Sequence, residues 1–282
     1  MDPDRLAIIL RALVYVGSIA GAGGVIFALS FPDAALAIER PLKRQILIGC
    51  WLILLVEPLR YVTFQLAATE GDWSAAFAPD VRWMAFATGF GKAAAVRMIA
   101  AAALLAANLL RRGVALAAAV TLIASFALEG HTLNAANGPV LVALLIIHLA
   151  AICWWIGALY PLLVVLGRAP PELAAATIAT FGRRAAWIVL ALVVAGALLL
   201  LALTGAEFDP ASDYQQRFGC KLLLVAVLLA LAAWNKLRLT PLLETNYAVG
   251  SRKLRRSIKG EMTAAFLILG ATSWIITASP HP

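Results

Sequence analysis

Charge is scarce in this chain: Asp, Glu, Lys and Arg make up 13% of its 282 residues, where a soluble domain carries about 25%. That excludes a soluble globular protein. The net charge of +8 is therefore not read as a nucleic-acid surface. Cysteine is almost absent too. Cys50, Cys153 and Cys220 are odd in number and lie in or beside apolar runs, which excludes a disulfide framework. Such thiols usually pack as small apolar groups. No Gly-x-x-x-x-Gly-Lys-Ser/Thr phosphate loop occurs, so no ATP-driven pump of that type is expected. Cys-x-x-Cys pairs and repeated His ligand pairs are also missing, as is an Asp-Lys-Thr-Gly-Thr phosphorylation motif. Runs of about ten strictly alternating residues are absent, which argues against a transmembrane β-barrel. No cleavable signal peptide is expected: the first apolar run, 6–31, is too long, and Ser30-Phe31-Pro32 is a poor cleavage site.

What the chain has is apolar length. Hydrophobic residues make up 63% of it. Runs of about 18–25 such residues recur, each able to cross a hydrocarbon core about 30 Å thick. The fold class expected is an all-α polytopic membrane bundle forming one transmembrane domain over 1–282. About eight spans are expected, at 6–31, 44–68, 89–110, 113–131, 139–166, 183–204, 217–240 and 261–279. Breakers separate them, among them Phe31-Pro32-Asp33, Asn137-Gly138-Pro139 and Ala169-Pro170-Pro171.

Basic residues orient the bundle. Most of the 23 Lys and Arg fall after the first, third, fifth and seventh spans: Arg40, Lys43 and Arg44; Arg111 and Arg112; Arg168, Arg183 and Arg184; then Lys236, Arg238 and the run 252–259. The positive-inside rule puts those loops in the cytoplasm and both termini in the periplasm. The basic run also suits contact with anionic lipid. Glu70, Asp72, Asp80, Glu129 and other acids fall on the outer side, where they suit an arriving cation or are simply solvated. Trp73, Phe77, Trp83 and Met84 in the outer segment 70–88 suggest an interfacial helix.

Of three histidines, two fall in this membrane region. His131 closes the fourth span in Glu129-Gly130-His131. His148 lies in the fifth, roughly 14 Å below its outer end at 1.5 Å per residue. An ionisable group in a bilayer usually faces an interior path. Neutral imidazole ligates copper, zinc and iron, and thioethers favour Cu(I). Glu129 and Met84 are candidate partners for His131, with the carbonyls around Asn134 and Asn137. Met98 and Met262 are candidates for His148. Core packing is the commoner role for any one Met, and a hydrogen-bonded structural histidine is the plainer reading of His148. If spans four and five form a tight hairpin, His148 faces Ser125 and not His131. Cys153 points about 140° away from His148 round the helix. Among the other buried charges, Glu57 and Arg97 are expected to pair. Lys221 is expected to snorkel, and Glu261 to meet Arg255 or Arg256.

These residues resemble the CopD/PcoD copper-resistance family of bacterial inner-membrane proteins. The pieces are His148-Leu-Ala-Ala-Ile-Cys153-Trp154-Trp155-Ile-Gly157-Ala158, Gly130-His131, Phe218-Gly219-Cys220-Lys221, Asn235-Lys236 followed by Pro241, and Leu254-Arg255-Arg256 through Glu261. Ala158 stands where the family has a second glycine, a small-for-small change. The resemblance implies a non-enzymatic role: copper, as transported ligand, moving from periplasm to cytoplasm across the inner membrane. It also implies a separate CopC-type periplasmic partner. Two other readings stand beside it: a haem-binding electron carrier, and a non-transporting membrane partner of a periplasmic copper protein. Whether copies assemble into a homo-oligomer is left open.

Overall fold

Long apolar runs become helices because a bilayer leaves the backbone no partner but itself. The computed structural model describes residues 3–107, 112–129, 137–204 and 212–275, and every regular element among them is helical. The order is α1 Pro3–Ser30, α2 Pro32–Ala37, α3 Glu39–Ala68, α4 Trp73–Ala76, α5 Pro79–Ala87, α6 Gly89–Ala107 and α7 Arg112–Ala124. A 3-10 turn over Ser125–Leu128 follows, then α8 Gly138–Arg168, α9 Pro171–Thr204 and α10 Asp213–Trp234. A π-helical turn over Asn235–Leu239 leads into α11 Thr240–Thr245 and α12 Tyr247–Ile275.

Six described helices are long and apolar enough to cross a membrane. They are Arg5–Ser30, Glu39–Ala68, Gly89–Ala107, Gly138–Arg168, Pro171–Ala202 and Asp213–Thr245. A further apolar helical run, Arg112–Leu128, is shorter. The basic stretch 252–259, read from sequence as part of a loop, is the first half of α12. Arg183 and Arg184 likewise lie inside α9.

The core is organised round α1, which packs on α3, α7, α8 and α12. Two glycine contacts let it sit so close. A Cβ at Gly17 would lie 2.9 Å from the Gly49 carbonyl oxygen on α3. One at Gly23 would lie 2.6 Å from the Cys153 carbonyl oxygen and 2.7 Å from Cα of Gly157 on α8. Backbones that meet this tightly bind through van der Waals contact, the main glue available in lipid. Gln45 Nε2 of α3 ties the three helices by donating to the carbonyls of Ala20, at 3.2 Å, and Gly157, at 3.1 Å.

The expected tight hairpin between the fourth and fifth spans is not formed. α7 packs on α6 and α1, while α8 lies chiefly against α9 and α1 and touches α7 only lightly. The 70–88 segment forms the short helices α4 and α5; Trp73, Trp83 and Met84 are exposed on them, and Phe77 is exposed between them.

Candidate metal pathway

Helices α1, α3, α8, α9, α10 and α12 line a half-open cavity of about 1520 Å³ with mostly apolar walls. His148, Glu129, Arg60, Arg11, Tyr15 and Lys221 are polar groups that face it.

His148 is half-buried. Its Nδ1 lies 3.1 Å from the Leu192 carbonyl oxygen on α9. A carbonyl can only accept, so Nδ1 carries the proton and donates it. In the neutral ring Nε2 then keeps its lone pair, the form in which imidazole binds a metal. Gly196, one turn beyond Leu192, makes the approach possible: a Cβ there would stand 3.0 Å from Cε1 and 3.2 Å from Nδ1 of His148. Neither Leu192 nor Gly196 is legible in the sequence as a partner of His148. A backbone acceptor on another helix carries no side-chain signature, and a glycine inside an apolar run reads as ordinary membrane packing. The residue expected opposite His148, Ser125, is buried and donates to the Leu122 carbonyl instead, at 2.7 Å.

A buried ionic cluster reaches the cavity through Arg60 and Glu129. Arg97 on α6 and Glu57 on α3 are fully buried, and Arg97 Nε donates to Glu57 Oε1, as expected from the sequence. Two further members join them. Arg60, one turn after Glu57, donates from Nη1 to both Glu57 carboxylate oxygens at 3.1 Å. Arg97 Nη2 donates to Glu129 Oε1, which also lies 3.7 Å from Arg60 Nη1. The two guanidiniums lie against aromatic faces, Arg60 at 5.0 Å from the Phe90 ring centre and Arg97 at 4.7 Å from that of Phe126. Charges buried this deeply survive only when paired and hydrogen-bonded. Glu129 is thus both a lining group and an ion-pair partner. A cation arriving there competes with Arg97 and Arg60.

The remaining candidates lie apart. His131 falls outside the described residues. Met84 is exposed on α5. Met98 on α6 and Met262 on α12 are half-buried, Met262 against the main core, and neither is among the residues facing the cavity. Cys153 faces it but is buried. Glu261 does not meet Arg255 or Arg256. It accepts from Asn235 Nδ2 at 2.6 Å, across the π-helical turn before Pro241. No group of three or more His, Cys, Asp or Glu gathers into a metal cage among the described residues.

An all-α bundle with several membrane-length helices has the form of a multi-pass membrane protein. The chain belongs to the CopD family. The model described as copper resistance protein D matches residues 175–275, and that of the copper resistance protein D-like N-terminal domain matches residues 1–139. Copper resistance protein D of Pseudomonas syringae pv. tomato is 30% identical over 149 residues, 48% of this chain and 48% of that relative. The match thus spans about half the length of the relative. No solved structure matches.

Proposed function

We propose that this protein moves copper across the bacterial inner membrane, from periplasm to cytoplasm, through the cavity faced by His148. In this reading the bundle has eight spans with both termini outside, and it transports without catalysing a reaction. The observation that carries the proposal is the hydrogen bond from Nδ1 of His148 to the Leu192 carbonyl. It orients the neutral ring so that Nε2 is available to a metal at the wall of a large, half-open cavity. Family membership supplies the metal, since imidazole alone suits several. A single imidazole is a weak hold, and weak holds suit transit: an ion must bind well enough to enter and loosely enough to leave. The outer station is His131, next in sequence but one to Glu129, whose carboxylate reaches the cavity.

Replacing His148 with Ala should abolish copper accumulation in reconstituted vesicles while helix content and thermal unfolding stay near those of the parent. Undiminished uptake by a folded His148→Ala protein would remove His148 from the path.

A further inference from the structure

The cavity is far larger than an ion requires, and the basic groups that face it outnumber the acidic ones. Sites for small ligands occupy about 300–1,000 Å³, whereas this space measures about 1520 Å³. Its walls are mainly leucine, isoleucine, valine and phenylalanine side chains, the surface an acyl chain would cover. Arg11, Arg60 and Lys221 face it, against the acids Glu70 and Glu129. Glu129 is already held by Arg97 and Arg60.

Lys221 sets the chemistry. It sits on α10, half-buried and facing the cavity. Its ammonium lies 5.5 Å from the centre of the Phe218 ring, and it forms no ion pair with any described residue. A lysine among membrane helices gains from an anionic partner, and basic pockets between such helices bind anionic lipid headgroups. We propose that the cavity holds an acidic phospholipid, its phosphate against Lys221 and its acyl chains along the apolar walls. This does not rest on the copper reading: the lipid would line the space whether or not an ion crosses it.

The full chain, purified in mild detergent and passed through gel filtration, is assayed for bound lipid by mass spectrometry. Phosphatidylglycerol or cardiolipin should remain bound. Retention should fall about tenfold in Lys221→Gln, the scale expected for losing a charge-assisted contact. Lys221→Arg should keep the lipid, and so should Lys92→Gln, which removes an exposed lysine outside the cavity. A measurement on the parent protein covers the case in which Lys221→Gln does not fold. In nanodiscs the parent should melt at a higher temperature in phosphatidylglycerol than in phosphatidylcholine. Equal retention by parent and Lys221→Gln would overturn the proposal. So would retention of zwitterionic lipid or free fatty acid in its place, or equal melting in the two nanodiscs.

Discussion

An alanine at position 196 would bring a methyl group to 3.0 Å from Cε1 and 3.2 Å from Nδ1 of His148, tighter than ordinary contact. The ring is the part able to yield, because the backbone of α9 is fixed by its own ladder. Any rotation lengthens the 3.1 Å contact with the Leu192 carbonyl. A lost hydrogen bond of this kind costs about 1 kcal/mol, near fivefold in an equilibrium. Gly196→Ala should therefore lower copper uptake several-fold in vesicles, with little change in melting temperature, since no cavity opens and no charge is stranded. Uptake equal to that of the parent would show that ring orientation does not matter to the path. Glu129 makes a contrast at the same scale. Read from sequence as a ligand for His131, it is engaged by two arginines, so an ion reaches it only by displacing one.

Between elements, the Glu57–Arg97 pair is the main electrostatic tie of α3 to α6. Removing Arg97 leaves Glu57 to Arg60, which must then serve two carboxylates; the loss approaches, without reaching, that of a wholly unpaired buried charge, about 3–5 kcal/mol. Replacing both with uncharged groups of similar size is often near neutral. Arg97→Met should therefore markedly lower the detergent concentration at which the purified protein unfolds. Glu57→Gln combined with Arg97→Met should recover much of that loss, because Arg60 can still reach Glu129. If the double variant is only the sum of two large losses, the pair is not coupled in this way. That Glu57 and Arg97 would meet was legible in the sequence, since opposite charges in two apolar spans have few other partners. Arg60 and Glu129 as further members were not: Glu129 sits near the end of its apolar run, where a solvated charge reads the same as a buried one, and Arg60 lies one turn from Glu57 with no sequence signal that separates a pairing from a solvated side chain. Helix length was legible only where hydropathy reports it. The polar first half of α12 and the start of α9 continue as helix beyond the apolar runs because nothing between Tyr247 and Ile275, or Pro171 and Thr204, interrupts the backbone ladder.

Across the whole molecule, cations collect at helix C-termini. Arg184 donates to the carbonyl of Ser30 at the end of α1, at 3.0 Å. The Arg255 guanidinium lies against Gly167 at the end of α8, where a Cβ would come within 3.1 Å of it. Exposed carbonyls at such ends carry partial negative charge, so these placements are favourable. They also anchor basic residues on the side that the positive-inside rule assigns to the cytoplasm. The orientation can be tested directly. Cys50 and Cys153 are buried and Cys220 is exposed, so a Cys220→Ser background leaves little reactive thiol. Lys253 on α12 and Ser74 on α4 are both exposed. In intact spheroplasts a membrane-impermeant maleimide should label Ser74→Cys at once. It should label Lys253→Cys only after the membrane is permeabilised. The reverse pattern would invert the bundle, put the α12 basic face in the periplasm, and turn the proposed direction of copper movement into export. Labelling of both sites in intact cells would place α4 and the basic half of α12 on one side, and the eight-span topology would fall with it.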